Sequence, residues 1–242
     1  MKTQKDLKPL SFAVTASAIC TTPALAATTT FDNGTEGWAI HARETISETD
    51  GHPGANLHVV MSEVWGLNIY NDTNPDFTGD LSRYGQMEFS IDIKLNRYVH
   101  SVLGHPMHDV FGIELQQILP GNVFASVFVP IGRLDGRIDN DWTTYSFVLD
   151  DPFATELPPG WIGSGALDSE TGTIPMLPEG STFASVLQNV DRLSFVTAEP
   201  GYLSFLSTWD IQVDNITLRS VPAPGTAGAL ALLGFAATRR RR

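Results

Sequence analysis

A chain of 242 residues with 42% hydrophobic and 17% charged side chains can bury a sizeable core, so its composition excludes intrinsic disorder and leaves room for one large sandwich or two small domains. The formal charge is −12, yet three of the 15 basic residues (Lys2, Lys5, Lys8) sit at the start and four arginines close the chain. With those seven and Asp6 set aside, 8 basic residues face 26 acidic ones, a net of −18, which excludes a nucleic-acid partner because phosphate binding needs a basic footprint.

The N-terminus combines lysines, an apolar stretch from Leu10 to Ile19 that is too short to span a bilayer, and Pro23-Ala24-Leu25-Ala26-Ala27. A basic head, an apolar middle and an A-x-A site describe a secretory signal peptide over residues 1–26, with Ala24 and Ala26 as the cleavage pair. The single cysteine, Cys20, lies inside this leader behind Ile19, which does not suit a lipoprotein signal, so the mature chain has no internal disulfide.

From residue 27 to 219, short apolar segments alternate with Gly, Pro, Asn and Asp, and there is no internal repeat or low-complexity linker. Strands are predicted at Trp38–His41, Ala55–Met61, Gly66–Tyr70, Gln86–Leu95, Phe111–Gln117, Val123–Pro130, Thr143–Leu149, Arg192–Val196 and Trp209–Leu218. Alternation is cleanest from Met87 to Leu95, where every second side chain is apolar, the mark of a strand with one wet face. One helix is predicted within Ser181–Val190, because Phe183, Val186, Leu187 and Val190 follow a hydroxyl N-cap at helical spacing. Nine strands and one short helix describe an all-β, two-sheet jelly-roll sandwich.

No nucleophile or acid/base pair stands out, since G-x-S-x-G, H-E-x-x-H and P-loop patterns are all absent from the sequence. His100, His105 and His108 have a spacing that could serve a metal, but their Gly- and Pro-containing segment reads as a hairpin loop. Glu44, Glu48, Glu63 and Glu114 are unremarkable in so acidic a chain. For ligand binding the expected tools are exposed aromatics that stack on an apolar sugar face. Trp38, Trp142 and Trp209 sit where core residues are expected, whereas Trp65, Tyr70, Tyr98 and Trp161 are the surface candidates. Trp161 lies in the long Pro- and Gly-rich excursion from Asp150 to Gly180.

The C-terminus, residues 220–242, reads Val221-Pro222-Ala223-Pro224-Gly225, then an apolar run from Ala227 to Ala237, Thr238, and Arg239, Arg240, Arg241 and Arg242. Eleven apolar residues in a helix reach about 16 Å, roughly half of a hydrocarbon core. This tail resembles the PEP-CTERM sorting signal, with Ala223 where that family has an acidic residue. The resemblance implies transient inner-membrane contact through the C-terminal hydrophobic helix, removal of the helix and arginines by an exosortase-type membrane protease, and delivery to the cell surface or extracellular matrix.

A second resemblance spans the middle. Phe77-Thr78-Gly79-Asp80, Tyr84-Gly85, the strand Met87–Leu95, Phe183–Val190 and Val213-Asp214-Asn215-Ile216-Thr217-Leu218 are similar to the laminin B (laminin IV type A) module. The opening Phe31-Asp32-Asn33-Gly34-Thr35-Glu36-Gly37-Trp38 and the closing Asp-Asn-Ile are shared with galactose-binding-like jelly rolls. That likeness implies one structural calcium ion held by Asp32, Glu36 and Asp214, in competition with a plain reading of these residues as turn formers. The function expected is that of a non-catalytic surface or matrix protein binding polysaccharide. A protein-binding adhesive module and a glycan-processing enzyme are the alternatives.

Overall fold

The computed structural model describes residues 25–40, 44–121, 123–137, 141–167, 175–197, 199–200 and 205–221. The signal peptide, Cys20 and the tail from Pro222 onward, with its proline motif and Arg239–Arg242, lie outside the described residues.

The chain folds as a jelly-roll sandwich of two antiparallel six-stranded sheets. Its strands are β1 (Ala26–Thr29), β2 (Trp38–Ile40), β3 (Thr45–Ser47), β4 (Asn56–Trp65), β5 (Asn68–Asn71), β6 (Met87–His100), β7 (His108–Leu119), β8 (Val123–Asp135), β9 (Thr143–Leu149), β10 (Ile162–Ser164), β11 (Ala166–Leu167), β12 (Pro175–Met176), β13 (Arg192–Val196) and β14 (Leu206–Ser220). The first sheet runs β3-β4-β14-β6-β9, with β1 beside the end of β14, and the second runs β10-β8-β7-β13-β5-β2. β11 and β12 form a small separate ribbon.

Alternation decides which side chains meet. In the second sheet Val127, Leu115, Leu193, Asn71 and Trp38 form one register row and Val129, Ile113, Phe195, Ile69 and Ile40 another. All ten are buried, and they meet Phe89, Ile91, Ile93, Ile211 and Val213 of the first sheet in one continuous core. Because side chains alternate with period two, the residues between these rows must face outward.

All nine predicted strands are present. The strands β1, β3, β10, β11 and β12 were not predicted: each has only two to four residues and none has two large apolar side chains at alternate positions to mark a period. The excursion from Asp150 to Gly180, expected as a loop, supplies β10 to the edge of the second sheet. The helix α1 is shorter than predicted, Phe183–Leu187, with a capping box in which Thr182 Oγ1 accepts from Ser185 N and Ser185 Oγ accepts from Thr182 N. It ends early because the Val190 backbone bonds to Gly79 in both directions, at 2.7 and 2.9 Å. Phe183, Val186 and Leu187 are wholly buried, so the helix plugs the sandwich as its spacing implied.

Trp38 and Trp209 are core residues, as expected. Two surface candidates are not on the surface. Tyr98 is 1% exposed, stacked on Trp209 with ring centroids 3.6 Å apart, and its hydroxyl donates to Asp109; burial beside that carboxylate pushes its pKa upward. Trp161 is 7% exposed and wedged edge-on between Phe147 and Phe183. The loop residue was misplaced because its aromatic ring finishes the core over α1.

Gly112 shows how tightly the second sheet is built. A β-carbon there would lie 2.3 Å from the Phe128 ring and 2.6 Å from the Val129 carbonyl oxygen. Gly112→Ala is therefore expected to destabilise the fold by about 1–3 kcal/mol, the range for overpacking. Urea denaturation checks it, and an unchanged midpoint would contradict the packing described.

Candidate functional site

The outward rows of the second sheet form a polar face. The row next to Val127–Trp38 places Ile162, Phe128, Glu114, Ser194, Tyr70 and Ala39 side by side across all six strands. The next row brings Ser164, Ser126, Gln116 and Arg192 together. Direct antiparallel partners have Cβ atoms about 4.5–5.5 Å apart, so these are true neighbours. Toward the β7–β8 hairpin the same face carries the pair Ile118 and Phe124, which are 56% and 43% exposed. On the other side, Asn68 pairs with Val196.

Glu114 is the centre of this face. Ser126 Oγ donates to its Oε1. Burial raises the Glu114 pKa above the ordinary carboxylate value, and the Ser126 hydrogen bond and the Arg192 charge only partly offset it. Arg192 lies with its guanidinium carbon 4.6 Å from the centre of the Tyr70 ring. Its Nη2 donates to Asp72 Oδ2 at 2.8 Å, while its Nε is buried without a partner, as is Asn68 Oδ1. The energetics of this arrangement nearly cancel. A half-exposed ion pair contributes at most about 1 kcal/mol and a surface cation–π contact about 0.5–1 kcal/mol. Against them stands an unsatisfied buried donor that costs about 1–3 kcal/mol.

Of the four aromatics singled out in the sequence, Tyr70 alone belongs to this face. Trp65 is 68% exposed but ends β4 in the opposite sheet, paired with Leu206. Glu114 and Arg192 were not singled out. The signal was present in Gly112-Ile113-Glu114-Leu115-Gln116 and Arg192-Leu193-Ser194-Phe195, where each polar residue alternates with a core residue.

A second polar cluster lies on the outer side of the first sheet, under the loop 50–55. Asp214, wholly buried, accepts from His52 N at 2.5 Å and from Asn215 N at 2.7 Å. Asp92 accepts from Thr144 Oγ1 at 2.5 Å and Asn215 Nδ2 at 2.8 Å, and meets His52 Nδ1 at 2.9 Å. Trp142 stacks parallel to His52 with centroids 5.7 Å apart, so it packs on a loop and not in the core. Burial raises Asp92, but the bonds from Thr144, Asn215 and His52 outweigh it and hold that carboxyl below its ordinary value. Burial likewise raises Asp214, and the nearby charges of Asp92 and Asp32 add to it. Asp32 grips the other end of the loop through Ala55 N at 3.1 Å, and Glu36 accepts from Thr29 Oγ1 at 3.1 Å.

Of the residues expected at a calcium ion, Asp32 and Asp214 supply hard oxygen donors to one loop, which suits the ion in kind, whereas the Glu36 carboxylate bonds Thr29 of β1. Among the described residues no three His, Cys, Asp or Glu side chains converge as a ligand set. At the β6–β7 hairpin, His100 and His105 have ring centroids 5.4 Å apart, His100 Nδ1 accepts from Val102 N at 3.1 Å and Leu103 N at 3.3 Å, and His108 begins β7.

No protein-family model matches the chain, and no curated protein matches it. Among solved structures it is similar to the Clostridium thermocellum endo-1,4-β-D-xylanase 10B fragment with CBM22-1 and GH10 modules complexed with xylohexaose, at 14% identity and a TM-score of 0.46, over 80% of this chain and 28% of that one. It is also similar to the CBM22-2 xylan-binding domain of Paenibacillus barcinonensis Xyn10C, at 9% identity and a TM-score of 0.41, over 81% of this chain and 99% of that one. A third similarity is to CBM28, a module specific for non-crystalline cellulose, at 11% identity and a TM-score of 0.32, over 78% of this chain and 90% of that one. The chain spans little more than a quarter of the xylanase fragment's length.

Proposed function

We propose that the outer face of the second sheet binds carbohydrate and that the protein is a non-catalytic, exported glycan-binding protein. The observation that carries this reading is the register row that sets Glu114, Ser194 and Tyr70 on three adjacent strands, with Gln116, Ser126 and Arg192 beside them. Such a row fixes the partly exposed Glu114 and Tyr70 on rigid strands two strand spacings, about 10 Å, apart, with Ser194 buried between them and Ser126 buried against Glu114. The exposed Phe124 and Ile118 add an apolar ledge at its edge. A hydroxyl-rich ligand with apolar ring faces matches that mixture of fixed polar groups and apolar surface.

Glu114 gives the reading a pH signature. An ionised carboxylate only accepts hydrogen bonds, and its charge-assisted bonds to sugar hydroxyls are the stronger ones. Its raised pKa means that acidification protonates it earlier than an ordinary glutamate, so affinity is expected to fall as pH drops toward the carboxylate range. Affinity gels cast with xylan, non-crystalline cellulose and agarose, together with a glycan array, test this. At neutral pH Glu114→Gln is expected to bind at least about tenfold more weakly, since a hydrogen bond to a charged group contributes about 1.5–3 kcal/mol, and to lose the acid dependence. A blank panel, or a Glu114→Gln protein that binds like the original, would sink the reading.

We further propose that residues 1–26 are removed during export and that the tail beyond Val221 is an exosortase-type sorting signal, placing the protein at the cell surface or in the matrix. Ala26 pairs with Arg219 at the start of β1, so cleavage after it leaves Ala27–Thr29 in the strand. N-terminal sequencing and intact mass of the exported protein check both ends. A mature chain beginning at Met1 and ending at Arg242 would refute them.

A structural calcium ion is proposed near Asp32 and Asp214, where it would offset the carboxylate repulsion beneath the loop 50–55 and contribute stability alone. Millimolar Ca²⁺ is then expected to raise Tm by linkage, and Asp214→Asn to abolish the shift. An unchanged Tm in the original protein ends the idea.

A further inference from the structure

Tyr70 is the stacking ring in the register row of Glu114 and Ser194, yet its ring already carries a guanidinium. Arg192 lies over the ring, its guanidinium carbon 4.6 Å from the centre, and is tied down by Nη2 to Asp72. The two partners are unequally mobile. Asp72 follows Asn71, which is wholly buried and whose Oδ1 accepts from Thr73 N at 3.2 Å and Asn74 N at 2.9 Å, while its Nδ2 donates to the Glu36 carbonyl. The carboxylate therefore stands on a fixed turn. Arg192 is the first residue of β13 and reaches the ring on a long flexible stem, its side chain 37% exposed. Its closed position also seals Nε from water without a partner. Swinging outward would hydrate that donor, uncover Tyr70 and leave Asp72 in solvent.

We infer that Arg192 is a strap over Tyr70, latched by Asp72, which a carbohydrate ligand must displace. The inference rests on the carbohydrate reading of this face. It makes Arg192 a determinant of the resting state and of the association rate, with Asp72 as its positioning residue and Tyr70 as the surface it covers. A ligand that only touches the rim meets a closed site. A ring that stacks on Tyr70 exchanges one flat cover for another and frees the buried Nε. The latch is specific to an arginine, because a lysine ammonium has no planar face to lie on the ring and carries no Nε donor to strand.

Surface plasmon resonance over immobilised xylan and non-crystalline cellulose, with the glycans of the array as further probes, tests it in the full exported protein. Arg192→Ala and Asp72→Ala are expected to bind about two- to fivefold more tightly, the factor matching loss of one surface cation–π contact, with the gain in the association rate. Tyr70→Ala is expected to lose binding in every background. Asp72→Asn covers the case in which Arg192→Ala fails to fold, and should speed association without moving Tm, which a purely structural role for Asp72 would not do. If Arg192→Ala or Asp72→Asn binds like the original protein, or Arg192→Ala loses binding as Tyr70→Ala does, the strap is wrong while the carbohydrate reading stands. If neither the original protein nor any variant binds any probe, both fall together.

Discussion

The pairing register of β13 between β7 and β5 is the constraint on which both the core and the polar face depend. Leu193 and Phe195 sit opposite Leu115 and Ile113 on one side and Asn71 and Ile69 on the other. A slip of one residue would turn Leu193 and Phe195 to water and drive Arg192 and Ser194 into the sandwich. Burial of the apolar pair contributes roughly 1.5–3 kcal/mol per side chain, so the alternative register is excluded by energy and not by the turns alone. The same free energy that packs the core therefore aligns Glu114, Ser194 and Tyr70 in a row on the opposite face.

The first sheet is organised by β14, whose 15 residues pair with β6 along nearly their full length, with β4 over the first part and with β1 over the last. Its outward carboxylates are treated differently from Glu114. Asp92 and Asp214 are crossed by donors from His52, Asn215 and Thr144, so the hydrogen bonding belongs to one loop and its strand neighbours. Asn215 makes this geometry by adopting a left-handed backbone, φ +49°, which an asparagine tolerates better than most residues. Buried charge there closes the fold over itself. On the second sheet it faces outward beside an exposed apolar ledge.

How much of this was legible in the sequence follows from what alternation can and cannot encode. Period-two patterns in Met87–Leu95 and Arg192–Val196 identified strands and the sandwich class, and the i, i+3, i+4 spacing of Phe183, Val186 and Leu187 identified the helix. Short strands such as β3 (Thr-Ile-Ser) and β10 (Ile-Gly-Ser), with one large apolar residue each, carry too little pattern to be seen, whereas β2, equally short, shows Trp38 and Ile40 on one face. Exposure of aromatics is a tertiary property: Tyr98 is polar enough for the surface, but Trp209 across the strand pair stacks on it, and Trp161 is recruited from a loop by Phe183. Glu114 was visible only as one carboxylate among many, because its importance comes from partners on β8 and β13 that lie far off in sequence.

The two faces also differ in what the chain ends can reach. Leu25 and Ser220 are joined by a backbone hydrogen bond of 2.8 Å, so the described chain enters and leaves the sandwich side by side in the first sheet. Every strand of the second sheet is internal to the chain, and its polar rows are carried by β7, β8, β13 and β5, with connections on both sides. Attachment through either end of the chain therefore acts on β1 and β14 and leaves the Glu114 row anchored by strands that carry no terminal load. The proposed binding face on the second sheet and the proposed signals at the two ends thus load different strands, so removal of either end would leave the register of β7, β13 and β5 unchanged.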